Sequence, residues 1–311
     1  MTAALCLENV TKRYGQTVAV DGVSFTAEPG RLFGLLGPNG AGKTSTIRMV
    51  TNITTPDEGT ITLGGTPVGP ASQARMGYLP EERGLYRKLK VGEQLVYLAR
   101  LKGMTEADAT ASVRRWLDRF DGLDWAGKKT EELSKGMQQK VQFISTVVHD
   151  PTLVILDEPF SGLDPINADL LVEVIGELRE GGRTVLFASH RMESVEALCD
   201  DLCLMAHGRV VLAGPLREVK RRFGRDTVSV AFDGDGTWLD PLVDANAVRV
   251  LSRTGGLVSV RLAGAAPRDV LAAALAGGVE VDRFEVHEPP LVDIFRQAVA
   301  GAGIAPVESA A

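Results

Sequence analysis

Apolar and polar positions follow two periods along this chain, and the switches between them outline its elements. Near the start, Leu5-Cys6-Leu7-Glu8-Asn9-Val10 and Val18-Ala19-Val20-Asp21-Gly22-Val23-Ser24-Phe25 predict strands around a turn at Gly15. Arg31-Leu32-Phe33-Gly34-Leu35-Leu36 predicts a short buried strand, and Thr46-Ile47-Arg48-Met49-Val50 continues as a helix. Thr60 to Gly65 predicts part of a hairpin, and Met76-Gly77-Tyr78-Leu79 a short buried strand that stops at Pro80. The period then turns helical from Val91 to Phe120, with Leu95, Leu98, Leu101, Val113, Leu117 and Phe120 spaced for one face. Leu153-Val154-Ile155-Leu156 and Thr184-Val185-Leu186-Phe187-Ala188-Ser189 are uninterrupted apolar runs, the pattern of parallel strands buried on both faces. Leu202 to Leu212 predicts a hairpin turning at His207-Gly208, and Leu216 to Phe223 a basic amphipathic helix.

Near Arg225 the composition shifts toward Ala, Gly and Val. Strands are predicted at Val228–Phe232, Val248–Leu251 and Leu257–Leu262, and helices at Arg268–Ala276 and Pro290–Ala300. The reading is therefore an α/β core over residues 1–224, interrupted by a helical insertion at about 85–135, and a small α+β accessory domain over 225–311. The tail from Gly301 is expected to fray.

Composition narrows the classes. With 311 residues, the chain can bury a sizeable core without disulfides or metals. Its formal net charge of −6 argues against a protein that wraps nucleic acid, where a basic face is expected. Cys6, Cys199 and Cys203 form no zinc or disulfide framework, and all three are expected as small buried apolar residues of a reduced, intracellular protein. The start lacks the basic-then-apolar pattern of a secretion signal, and no run reaches the ~18 apolar residues that span a bilayer. Work at a membrane would need something else to hold this chain there.

The chemistry is concentrated in Gly37-Pro38-Asn39-Gly40-Ala41-Gly42-Lys43-Thr44-Ser45, which fits G-x-x-x-x-G-K-[ST]. It lies between a predicted strand and a predicted helix, where successive backbone N–H groups can point at an anion. Glycine lets the backbone approach phosphate closely. Lys43 can reach the β- and γ-phosphates, and the Thr44 hydroxyl can ligate magnesium. Asp157 follows four apolar residues, so its carboxylate sits at the edge of a buried sheet, where a cation offsets the cost of burial. Glu158 is placed to polarise a water for in-line attack on the γ-phosphate. The phosphate loop, Asp157, Glu158 and His190 all fall at carboxyl ends of predicted strands, where parallel α/β sheets bind ligands.

Leu133-Ser134-Lys135-Gly136-Met137-Gln138-Gln139-Lys140 adds a sharper observation. It resembles LSGGQ, the signature of the ATP-binding subunits of ABC (ATP-binding cassette) transporters, and the resemblance covers about residues 5–224. Lys135 and Met137 depart from it, while Ser134 and Gly136 are kept. The resemblance implies a P-loop NTPase core of the ABC type, with an antiparallel β subdomain and a helical insertion. It implies that Tyr14 stacks on adenine and that Ser134 and Gly136 bind the γ-phosphate of ATP held by the opposite subunit. Asp164, in Ser161-Gly162-Leu163-Asp164, would communicate across the dimer, and His190 would contact the γ-phosphate. It further implies ATP and Mg²⁺ as ligands, a homodimer sandwiching two ATP, and an integral membrane permease as a separate chain. The place of work would be the cytoplasmic face of the membrane. Glu81 stands where the family usually has Gln, and is expected to keep a metal or water contact with Thr44 and Asp157. Residues 77–86 and 133–140 are similar to one branch, the sodium- and drug-exporter ATPases. That branch often carries a C-terminal appendage, whose closing helix Leu291-Val292-Asp293-Ile294-Phe295 resembles. The competing reading is a soluble ABC ATPase acting on ribosomes or DNA. Such members usually carry two cassettes or long coiled coils, and neither is legible in this sequence.

Overall fold

The computed structural model describes residues 4–82, 84–224 and 226–301. In chain order the elements are β1 (Leu5–Tyr14), β2 (Thr17–Ala27), β3 (Leu32–Leu36), α1 (Lys43–Val50), β4 (Glu58–Leu63), β5 (Thr66–Pro67) and β6 (Met76–Leu79). Then come α2 (Val91–Leu101), α3 (Glu106–Arg119), α4 (Lys135–Val147), β7 (Leu153–Asp157), α5 (Pro165–Glu180), β8 (Thr184–Ser189), α6 (Met192–Leu198), β9 (Asp201–Ala206) and β10 (Arg209–Pro215). The rest are α7 (Leu216–Arg222), β11 (Thr227–Asp233), α8 (Asp240–Asp244), β12 (Val248–Thr254), β13 (Leu257–Leu262), α9 (Pro267–Ala276), β14 (Glu280–His287) and α10 (Leu291–Gly301). The chain forms two compact units that divide after Leu216, the second spanning Arg217–Gln297. Arg225 and the tail beyond Gly301 lie outside the described residues.

The first unit is built on a sheet of order β10-β9-β3-β8-β7-β6, parallel except for the β10–β9 hairpin. Strands β3, β7 and β8 are buried at every position, as their uninterrupted apolar runs require. A second, antiparallel sheet of order β2-β1-β4-β5 contributes Leu5, Leu7, Val20, Val23 and Phe25 to the same core as Phe33, Leu35 and Ile155. Phe25 stacks on Phe33 with ring centroids 4.8 Å apart.

The helical stretch from Val91 to Phe120 is two helices, α2 and α3. Between them Gly103 adopts a left-handed φ of +98°, and the Thr105 side chain caps α3 by accepting from the Asp108 N–H. The expectation of three buried cysteines is corrected at one position. Cys199 and Cys203 are buried, but Cys6 on β1 is half-buried.

The second unit has an antiparallel sheet of order β12-β13-β11-β14. With α8 and α9 it forms a split β-α-β arrangement. Val228, Val230, Val258 and Val260 make its core with Trp238 and Val270. Strand β14 and helix α8 lie outside the elements that the apolar pattern predicts. In Glu280–His287 the apolar residues Val281, Phe284 and Val286 are half-buried, and a bulge opposite Ala231 and Phe232 breaks strict alternation.

Candidate functional site

Strands β3, β6, β7 and β8 end on one side of the sheet, and a cavity of about 480 Å³ opens there. Asn39 through Ser45 line it together with Glu81, Asp157, Glu158 and His190. Four sequence-distant stretches thus meet as the carboxyl ends of parallel strands dictate. Gly42 has a φ of +103°, and a Cβ there would lie 2.5 Å from the Ala19 carbonyl oxygen, so only glycine fits this turn. Gly42 is also the N-cap of α1, which has no side-chain cap and no acidic residue in its first turn. The first N–H groups and the positive end of the helix dipole therefore remain for an anionic ligand.

Lys43 is buried, and its ammonium donates to the carbonyls of Gly37 (2.6 Å) and Pro38 (3.1 Å). Gly37 and Pro38 are not cavity-lining residues; their carbonyls hold the lysine. Burial lowers the pKa of Lys43, against the pull of Glu158, Asp157 and Glu81. Asp157 is pushed up to about 6, first by burial and then by the Glu158 and Glu81 carboxylates. The site thus holds more negative charge than Lys43 alone balances.

Glu158 has a left-handed φ of +48°, and its N–H donates to the Ala188 carbonyl (3.0 Å), which ties it to β8. The Ser189 hydroxyl donates to Oε2 (2.9 Å), and the His190 backbone N–H donates to Oε1 (2.6 Å). The His190 ring approaches the same oxygen through Nδ1 at 2.6 Å. A carboxylate only accepts, so Nδ1 carries the hydrogen in that contact.

Other expected site residues do not line the cavity. Tyr14, at the end of β1, is 46% exposed, and the Lys12 ammonium stands 5.7 Å from its ring centroid. Thr17, Val18 and Ala19 of β2 line the cavity instead. Ser134 caps α4, its hydroxyl accepting from the Met137 N–H at 3.3 Å. Gly136, on the first turn of α4, has the Asn167 amide 3.4 Å from where a Cβ would stand. Asn167 donates in turn from its N–H to Asp164, the cap of α5, at 3.1 Å. Ser134, Gly136 and Asp164 therefore form a neighbourhood of their own. Sequence reasoning missed His207 and Gly208, which also line the cavity. They were legible only as a hairpin turn, and a β-turn carries no sign of which strand end it will face.

Comparison with known proteins gives the family. The family described as ABC transporter matches residues 20–161, and the C-terminal domain of DrrA1-3-like ATP-binding proteins matches residues 214–299. The uncharacterized ABC transporter ATP-binding protein YhaQ of Bacillus subtilis is 46% identical over 295 residues, 95% of this chain and 98% of that one. The Nod factor export ATP-binding protein I of Cupriavidus metallidurans is 38% identical over 248 residues, 78% of this chain and 80% of that one. Among solved structures, the ATP-binding subunit of an ABC transporter superposes with a TM-score of 0.67 at 31% identity, over 70% of this chain and 92% of that one. By its phosphate-loop cavity and these relatives, the chain belongs to the ABC transporter ATP-binding protein family and is an ATPase.

Proposed function

We propose that this chain is the ATP-hydrolysing subunit of an export system, acting on a permease carried by a separate chain. The observation that carries the reading is the convergence of the phosphate loop, Asp157, Glu158, His190 and Glu81 on one cavity. The loop N–H groups and Lys43 bind the phosphates. Glu158 takes the proton of the attacking water, and His190 contacts the γ-phosphate while it also orients Glu158. Tyr14 stacks on the adenine.

Magnesium fits the donor set. Asp157 is a buried carboxyl beside two others, and a divalent cation would offset that crowding. Asp157, Thr44 and Glu81 would hold it. Among the described residues no three His, Cys, Asp or Glu side chains form a metal-binding group by themselves, so hydroxyl and phosphate oxygens belong to the set. When bound, the ion neutralises charge on the phosphates.

Two copies sandwich two ATP in this reading, closing on binding and reopening on hydrolysis. Ser134 and Gly136 lie outside their own chain's cavity yet sit at the start of a capped helix, which supports a role on the partner's nucleotide. Asp164, beside Gly136 through Asn167, communicates between the copies. The separate permease is supported by the absence, among the described residues, of any helix long and apolar enough to cross a membrane. Tyr97 and Leu101 of α2 are 51% and 65% exposed and suit docking on that partner at the cytoplasmic face of the membrane. Export is supported by the similarity to a Nod factor export protein and to the DrrA1-3-like C-terminal domain. The division into an ATP-binding domain over 1–224 and an accessory domain over 225–311 is part of the same reading, and no nucleic acid partner is expected.

The test is a detergent pull-down of tagged protein from its native membranes, with mass spectrometry of what accompanies it. A stoichiometric multi-span membrane protein is the expected result. Ribosomal proteins or nucleic acid, with none of the protein in the membrane fraction, would replace this reading with that of a soluble ABC ATPase.

A further inference from the structure

Strand β6 is an edge strand, so the carbonyls along its open side need donors from elsewhere. Helix α4 supplies them. It runs so close to β6 that a Cβ on Gly77 would stand 2.1 Å from the Thr146 carbonyl oxygen. The Thr146 hydroxyl, whose shorter contact is the Gln142 carbonyl of its own helix (3.1 Å), also lies 3.4 Å from the Tyr78 carbonyl. One turn earlier on the same face, the Gln142 side-chain amide donates to the carbonyls of Pro80 (3.3 Å) and Glu82 (3.0 Å). Helix α4 thus reaches the Tyr78 carbonyl inside the strand and those of Pro80 and Glu82 where the chain bends away beyond Leu79. Both partners of Gln142 are acceptors, so its NH₂ must face them, and its Oε1 is left buried without a partner. Gln142 is 3% exposed.

Pro80 and Glu82 flank Glu81, whose place in the nucleotide cavity is thereby fixed from both sides. The same helix starts at the Ser134 cap, and its Gln139 amide donates to the carbonyl of Pro159, next to Glu158, at 3.3 Å. We propose that Gln142 is a positioning residue: a buried tether that binds the Glu81 loop to the helix bearing Ser134 and Gly136, so that Glu81 moves with that helix. The function of the tether rests on the reading of Glu81 as a site residue, whereas the tether itself does not.

Gln142→Leu and Gln142→Met keep the volume and remove the donor. In whichever variant melts within about 5 °C of the parent, amide hydrogen exchange of the peptide spanning residues 81 to 86 is expected to quicken roughly tenfold, with phosphate-loop peptides unchanged. ATP affinity should hold within about threefold while kcat falls about tenfold, a split that general loosening of the fold would not produce. Unchanged exchange in that peptide overturns the tether. Should both variants fail to fold, the parent decides by NMR: a slowly exchanging Gln142 side-chain NH₂ pair supports the tether, and a fast-exchanging pair at the solvent-exposed shift overturns it. Glu81→Gln is measured separately. If it alters neither nucleotide affinity nor kcat while Gln142→Leu still frees the loop, the site role of Glu81 fails and the tether stands.

Discussion

One carboxylate oxygen of Glu158 receives both the backbone N–H and the ring Nδ1 of His190, each at 2.6 Å. Residues at the ends of adjacent parallel strands thus hold the proposed base through the protein's own hydrogen bonds. Glu158→Gln keeps the shape but cannot accept a proton. Steady-state hydrolysis is expected to drop by about 10²–10⁴-fold, with ATP affinity within a few fold of the parent. Hydrolysis within tenfold of the parent would remove Glu158 from the role of base.

Ser189 holds the other oxygen of the same carboxylate at 2.9 Å and is itself 2% exposed. A donor to a charged group contributes roughly 1.5–3 kcal/mol, so Ser189→Ala should lower kcat by about tenfold or more with little change in KM. Ser189→Thr, which keeps the hydroxyl, should recover most of the loss. Equal kcat values for the alanine and threonine variants would show that the hydroxyl does not orient Glu158.

Lys43 holds carbonyls of its own loop, so its removal should cost nucleotide binding rather than folding. Lys43→Met is expected to weaken ATP affinity by about 10–100-fold, in line with a charge-assisted contact of roughly 1.5–3 kcal/mol. Calorimetric titration with ATP reads this, and a melting scan reads the fold. A variant that binds ATP normally would exclude Lys43 from phosphate contact.

His149 gives a pH dependence remote from the nucleotide. Burial, with the nearby Lys102 charge, pushes its pKa down to about 4, while Nε2 stands 3.1 Å from the Met76 carbonyl. In the unfolded chain the imidazole titrates near ~6.5, so on acidification the unfolded state takes up the proton first. The stability contributed by neutral His149 is complete above about pH 6.5 and is lost as the pH falls through about 4, by roughly 3 kcal/mol. Denaturant titrations between these pH values should show a shallower loss in His149→Gln. Parallel pH profiles for the two proteins would contradict the assignment.

Gly77→Ala should destabilise by more than ~3 kcal/mol, because the new methyl would overlap the Thr146 carbonyl oxygen at 2.1 Å. Both partners belong to packed elements, β6 and α4. A melting temperature close to the parent's would mean that α4 can move away from β6.

Much of the site is local in sequence, and that part was legible. The phosphate loop is one contiguous stretch whose backbone shape depends on its own glycines. The strands ending at Leu36, Asp157 and Ser189 are short apolar runs because both faces of each are buried. Strand β14 was not legible, since a half-buried edge strand with a bulge shows neither an apolar run nor clean alternation.

The sequence by itself determined the family of this protein, legible in Gly37–Ser45, the Asp157-Glu158 pair and the stretch around Ser134. Tertiary structure decided how those pieces meet. The order β3-β8-β7-β6 brings Glu81, Asp157, Glu158 and His190 to one cavity, and the fold of β2 and the β9–β10 turn adds Val18 and His207 to its wall. It also placed the Gln142 amide on the carbonyls flanking Glu81, 60 residues or more earlier in the chain. The physical reason is that backbone dihedrals and apolar periodicity act over a few residues, whereas strand order and the pairing of buried polar groups are settled only when distant elements pack.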